Sequence, residues 1–178
     1  MKLRYLLVCA GLLISVFPAC AAVDYFLKLE GIPGESLDDR HKDEIEILSF
    51  SFGATQTGGI TGGGAGKVIF SDISFTKPVD KSSPQLYLQC AQGKHIPTAI
   101  LYGRKAGERP TDYYIIKLTD VLISSVQTSG ASGGDRPTES LSLNFTKIEF
   151  SYARQKPDGS FEPPIQTGWD IKLNVAVP

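Results

Sequence analysis

Asp80-Lys-Ser-Ser-Pro-Gln-Leu-Tyr-Leu-Gln-Cys-Ala-Gln-Gly-Lys-His-Ile-Pro97 decides the fold, because it is the one helical stretch in a chain that otherwise reads as strands. Ser83 is placed to cap the helix, its hydroxyl accepting from an orphan amide of the first turn. Pro84 follows at the first helical position, where a missing N–H costs nothing. Gly93 falls where a left-handed residue ends a helix, and Lys94 suits the negative end of the dipole. At about 100° per residue, Leu86, Tyr87, Cys90 and Ala91 share one side, and Gln85, Gln89 and Gln92 the other. A helix shorter than about 12–15 residues does not hold alone in water. The spacing therefore predicts one that docks on a sheet through Leu86, Tyr87 and Cys90, each buried Leu or Tyr contributing on the order of 1.5–3 kcal/mol.

Outward from the helix, the apolar residues alternate at period two. Tyr25, Leu27 and Leu29 lie on one face of a first strand over Asp24 to Glu30. Glu35 to Asp43 is a charged, irregular excursion. Glu44 to Phe52 resumes as a strand whose apolar phase slips near Ile47, which predicts a β-bulge there. Gly53 to Gly66 reads as a Gly/Thr-rich linker, and Lys67 to Lys77 as the next strand. Beyond the helix come Ile96 to Lys105 and the long run Tyr113 to Val126, either buried on both faces or continuing past a bend. Ser129 to Thr138 is a Gly/Ser loop. Ser140 to Ala153 slips phase near Lys147, Pro157-Asp-Gly159 is a turn, and Trp169 to Val177 alternates to the end. The fold class is mainly β: a two-sheet antiparallel barrel or sandwich with one flanking α-helix.

The first residues stand apart from that fold. Lys2 and Arg4 precede an apolar run from Tyr5 to Phe17 that is too short to span a bilayer. Ala19-Cys-Ala21 then supplies a cleavage site. Residues 1–21 read as a secretory signal peptide, cut after Ala21 or Ala22. A lipid on Cys20 is the alternative, but Phe17 and Pro18 occupy the places of an aliphatic and a small residue. Residues 22–178 suit a single domain. The chain is expected to be periplasmic or secreted, without stable membrane insertion.

Composition excludes several classes of function. Eighteen Lys and Arg against nineteen Asp and Glu leave a net charge of −1 with no basic stripe, so nucleic acid is not a partner. Cys90 is the one certain mature cysteine, which excludes a disulfide framework. Gly62-Gly-Gly-Ala-Gly66-Lys67 fails as a phosphate loop, because Val68 and a strand follow it. His41 among Asp38, Asp39 and Asp43 reads as a solvated turn rather than a metal site. His95 suits a structural place at the helix end. Asp112 and Glu139 have no partner in sequence, and Asn144-Phe-Thr146 is a chance sequon within a strand. No catalytic constellation assembles, and no cofactor or metal is expected.

Gly31-Ile-Pro-Gly-Glu-Ser36, Asp39-Arg-His-Lys-Asp-Glu-Ile45, Leu48-Ser49, Asp80-Lys-Ser-Ser-Pro84, Gly93-Lys-His-Ile96, Val121-Leu-Ile-Ser-Ser-Val126 and Glu139-Ser-Leu-Ser-Leu-Asn-Phe145 stand in an order that resembles the hemolysin-coregulated protein family, the tube subunits of type VI secretion. The resemblance covers Val23 to Val177. It implies a β-barrel domain over residues 22–178 that forms homo-hexameric rings. These rings would stack into a tube, meet spike and sheath proteins, and hold small effectors in the lumen. By the same analogy Glu35, Ser36, Asp39, Arg40 and His41, with Asp135 and Arg136, belong to ring-stacking loops. Family members leave the cell without a leader, whereas this chain has one. A secreted or periplasmic binding module of the same fold is the competing expectation.

Overall fold

The computed structural model describes residues 23–58, 66–106 and 110–177. The expected cleavage site and residues 59–65 of the glycine-rich tract lie outside the described residues. The elements in chain order are β1 (Val23–Leu29), β2 (Ile45–Ile47), β3 (Ser49–Ser51), β4 (Ala54–Gln56), β5 (Val68–Phe70), β6 (Ile73–Pro78), α1 (Ser83–Gln92), β7 (Ile96–Lys105), β8 (Thr111–Ser129), β9 (Thr138–Asn144), β10 (Lys147–Tyr152), β11 (Ile165–Asp170) and β12 (Val175–Val177). Every strand pairing is antiparallel. One sheet runs β12-β11-β10-β8-β7-β1-β2, and the other joins β3, β6 and β9 to the far half of β8. Of the two forms the sequence leaves open, the sandwich fits. Leu27, Leu101, Ile116 and Ile148 from one sheet meet Ile73, Phe75, Leu141 and Leu143 from the other, all essentially without solvent contact.

The phase slips have one cause, and it is not the bulge expected near Ile47. Ile47 pairs with Tyr25 in the first sheet, while Ser49 pairs with Thr76 in the second. Leu48 is the corner where the chain changes sheets, so the side chains reverse because the sheet does. The second slip repeats this: β9 lies in the second sheet and β10 in the first, with the corner at Phe145 and Thr146. In β8 the second of the two sequence readings holds. Val121 still pairs with Ile96, and Leu122 already pairs with Asn144. Asp120, just before this change, takes a left-handed φ of 54°, a conformation that aspartate tolerates better than most residues.

Other expectations are corrected at the ends of strands. The run from Lys67 to Lys77 is two strands, broken at Ser71, which closes back on Gly53 through its amide and hydroxyl. Residues 53–58 and 66–70 therefore belong to the arms of a ribbon, β4 with β5, rather than to a linker. The alternating C-terminal run also folds back on itself. β11 ends at Asp170, Asn174 turns with φ 57°, and β12 pairs antiparallel with β11.

The helix lies where the sequence places it, but is capped and turned differently. Ser82, not Ser83, is its N-cap, and it makes no side-chain capping bond. The Ser83 hydroxyl instead donates to Glu139 Oε2 at 2.7 Å and accepts from the Asp80 amide at 3.1 Å. Gly93 ends the helix with φ 59°, its N–H reaching the Cys90 carbonyl. Leu86 is fully buried and Cys90 half-buried against the core. Tyr87 is not a core contact: it is 43% exposed, and its hydroxyl bonds that of Thr128 at 2.7 Å. Gln89 is half-buried and Ala91 exposed. The docking side is thus Ser83, Leu86 and Cys90, a narrower stripe than the sequence suggests.

Candidate functional site

The excursion between β1 and β2 is an ordered loop lying against the sheet. Its two limbs pair through Gly34 N–H to the Asp43 carbonyl at 2.8 Å, Ser36 N–H to the Glu44 carbonyl at 3.0 Å, and Asp43 N–H back to Ser36 at 2.9 Å. Gly34 is required by that approach, since a Cβ there would come within 2.3 Å of the Glu44 carbonyl oxygen. Ser36 is buried, and its hydroxyl accepts from the Asp38 amide at 3.2 Å.

His41 fastens the loop and overturns the reading of a solvated turn. It is 3% exposed. Its ring stacks on Phe26 of β1 at 4.5 Å and leans against Tyr102 of β7 at 4.7 Å. Nδ1 faces Glu44 Oε2 at 2.8 Å and Nε2 faces Asp112 Oδ1 at 3.0 Å. Two carboxylates bracket one imidazole, so each ring nitrogen has an acceptor before it. Burial pushes the Glu44 carboxyl above its ordinary range, although the bond to His41 opposes this. Asp38 faces the buried Arg104 guanidinium. Partial burial works against its charge, but the Arg40 and His41 amides together with Arg104 outweigh that and hold the Asp38 carboxyl low. Among the described residues no cluster of His, Cys, Asp or Glu could hold a metal ion.

Of the loop residues expected to act together, Glu35 and Arg136 are brought face to face, 3.9 Å apart. Glu35 also accepts from the Lys81 amide at 2.8 Å, while the Lys81 ammonium reaches Asp43 at 2.8 Å. Both loops are thereby tied to the turn that enters α1. Asp39, Arg40 and Asp135 remain exposed. His41 and Ser36 are buried and shape the loop from within.

A second charged cluster went unseen in the sequence. Lys77 and Glu139 are cross-strand partners on β6 and β9, 0% and 2% exposed. The Lys77 ammonium donates to Glu139 Oε2 at 3.0 Å, Ser83 Oγ at 3.2 Å and the Pro78 carbonyl at 2.7 Å, and lies 2.8 Å from Asp80. Glu139 Oε1 accepts from Thr128 at 3.1 Å, and Thr128 meets Tyr87. A signal for this did exist. Lys77 continues the inward phase of Ile73 and Phe75, and Glu139 that of Leu141 and Leu143. A charge in the core phase of a strand requires a partner.

With this geometry in hand, the comparisons with known proteins agree. Residues 26–152 match the family described as "Type VI secretion system effector, Hcp". Protein hcp1 of Pseudomonas aeruginosa is 48% identical over 159 residues, spanning 86% of this chain and 98% of that protein. A solved structure of a type six secretion system protein shares 33% identity with a TM-score of 0.83, over 88% of this chain and all of that one. Hcp1 from Salmonella typhimurium shares 36% with a TM-score of 0.72, over 88% and 99% of the two chains. The chain belongs to the Hcp family of type VI secretion tube proteins. That family is one of structural tube proteins and of secreted type VI components.

Proposed function

We propose that the mature chain is exported and closes, six copies at a time, into rings that stack as a tube whose lumen can hold small effectors. The observation that supports this reading, beside the family, is the placement of apolar side chains left in water. Leu37 of the loop is 90% exposed, Ile69 of the β4–β5 ribbon 59%, and Ile165 and Leu173 of the β11–β12 hairpin 75% and 71%. Exposed apolar groups of this size mark contact surfaces when they gather with neighbours. A two-fold contact sets one patch against itself, whereas patches on unlike elements suit head-to-tail contacts that close as a ring. Among the described residues the edge strands β2 and β12 are only three residues long, and a neighbouring copy is one way to cover such edges. The tube would meet the spike and sheath of its secretion system. Among the described residues no helix is long and apolar enough to cross a membrane.

Light scattering of mature protein across a wide concentration range, with negative-stain images of the same sample, tests the assembly. Annular particles of six subunits are expected. A monomer that persists at high concentration removes the tube and leaves a binding module of this fold. For the leader, residues 1–21, the intact mass of protein recovered from cells is expected to start at Ala22 or Val23. A chain retaining Met1, or an acylated Cys20, overturns that cleavage.

A further inference from the structure

Within the loop of residues 33–44, His41 is nearly sealed from water, and both of its ring nitrogens face carboxylates. Nδ1 stands 2.8 Å from Glu44 Oε2, and Nε2 stands 3.0 Å from Asp112 Oδ1. A neutral imidazole carries one N–H, so it can donate to only one of two such oxygens. Its other nitrogen would then set a lone pair against a carboxylate oxygen, between the rings of Phe26 and Tyr102. Contact without repulsion needs one more proton. It sits either on the ring, as an imidazolium between two carboxylates, or on a carboxyl that donates to the bare nitrogen.

The groups around the ring leave that proton as what changes near neutral pH. From the loop come Glu44 and Asp38, the latter accepting the His41 backbone N–H at 3.1 Å. Arg40 and Lys42 flank His41 in the chain and are exposed. From β1 comes Phe26, with Lys28 acting on the Glu44 carboxylate. From β7 come Tyr102 and Arg104, which pairs with Asp38, and from β8 comes Asp112. Arg104 keeps its charge throughout. Against partial burial, the Arg40 and His41 amides and Arg104 hold Asp38 low. Burial, with Glu44 and Asp112 nearby, pushes the Tyr102 phenol up. Burial pushes the Glu44 carboxyl up as well, the direction of a group that keeps its proton. Apolar burial does little for the tip of the loop. Leu37, its one large apolar side chain between Gly34 and Glu44, is 90% exposed.

We infer that one proton shared among His41, Glu44 and Asp112 latches this loop to the first sheet, and that losing it frees the loop. The docked loop binds that proton more tightly than the freed one, in which Glu44 and Asp112 return to water. Undocking therefore releases a proton, and raising the pH favours it. For one proton, the ratio of freed to docked loop grows by up to about tenfold per pH unit. The latch works within a single subunit. On the ring-and-stack reading above, with this loop among the stacking loops, it also sets a pH above which stacks part.

Tryptic cleavage after Arg40 and Lys42 reads the freed loop in dilute mature protein. It is measured from about pH 6 to about pH 9 and divided at each pH by cleavage of a linear reference peptide. Wild-type cleavage is expected to be slow at the acid end and to rise by up to about tenfold per pH unit. Glu44→Gln and Asp112→Asn each satisfy a neutral ring on both sides, because the new amide donates to one nitrogen while the other donates to the remaining carboxylate. Both are expected to be cut slowly, at a rate that does not change with pH. His41→Phe leaves the two carboxylates facing an apolar ring and is expected to be cut fast across the range. Wild-type cleavage indifferent to pH overturns the latch. So do amide variants that both keep the wild-type slope, or that are both cut as fast as His41→Phe. Sedimentation velocity of concentrated protein reads stacking over the same interval. Wild-type stacks that stay together while cleavage rises overturn the link to stacking and leave the latch. Protein that forms no ring overturns the assembly reading, while the cleavage slope still decides the latch.

Discussion

The Lys77–Glu139 cluster and the His41 clamp both use charge to join elements distant in sequence, yet they do so on different ground. Lys77 and Glu139 occupy core positions of paired strands, and their partners Asp80 and Ser83 bring in the start of the helix. His41 lies on the outer face of the first sheet and holds a loop that has little apolar surface of its own to bury. A buried ion pair rarely adds net stability over an apolar pair of similar volume, but removing one partner is severe. At Lys77 the charges accordingly fix where the helix lands. At His41 they tie a loop whose limbs are already paired to the sheet beneath it.

The largest effect should come from breaking the first cluster on one side. Glu139→Ala leaves the Lys77 ammonium buried beside only Asp80 and neutral groups, and is expected to cost about 3–5 kcal/mol, read as a lowered midpoint in urea. Lys77→Met and Glu139→Leu combined with Asp80→Asn, which removes the third charge of the cluster, should recover most of that. If the triple change is as damaging as the single one, the stranded charge is not the cause. Next comes His41→Ala, which leaves Glu44 and Asp112 without their donor and empties the place between Phe26 and Tyr102. A cost of about 1–3 kcal/mol is expected, with faster tryptic cleavage at Arg40 and Lys42. Equal cleavage rates would mean that the paired limbs alone hold the loop.

Two carboxyls of the loop, Asp38 beside Arg104 and Glu44 beside His41, respond oppositely to pH. Asp38 is held low in the fold, so its contribution is present above its ordinary range and is lost as pH falls through its folded value. Glu44 is pushed up, so its contribution is present below its ordinary range and is lost as pH rises through the raised value. Melting curves should therefore flatten on the acid side for Asp38→Asn and on the higher side for Glu44→Gln. Identical profiles for the two variants would contradict this division. The smallest effect is expected from Tyr87→Phe, which removes an exposed bond to Thr128 and should shift stability by about 0.5–1 kcal/mol or less. A larger loss would show that Tyr87 positions Thr128 for Glu139.

The strands and the helix were legible because period two and period 3.6 leave different traces, and the phase slips were visible because side chains reverse wherever the chain reverses. Their cause was not legible: a bulge and a change of sheet shift the apolar phase alike, and only the partners of Ile47 and Ser49 distinguish them. The ends of the long apolar runs were hidden for a similar reason. Val175 and Val177 keep the alternation of Trp169 although Asn174 has turned the chain around. Tyr87 was misplaced because a helix of under three turns docking at one end buries a narrow stripe. The His41 clamp carries no periodic trace, since Asp112 is 71 residues away and loops have no face. Lys77 and Glu139, by contrast, stood in the sequence as charges in an apolar phase.

The sharing of β8 between both sheets has a consequence for how the molecule comes apart. Its 19 residues pair with β7 and β10 along one half and with β9 along the other. Neither sheet can open at its centre without drawing on a strand the other needs. The two are thus expected to behave as one cooperative unit. Slow amide hydrogen exchange should report a single opening free energy for the middle of β7, β8, β9 and β10. The β4–β5 ribbon and the β11–β12 hairpin, which lie outside that shared strand, should exchange sooner and independently of each other.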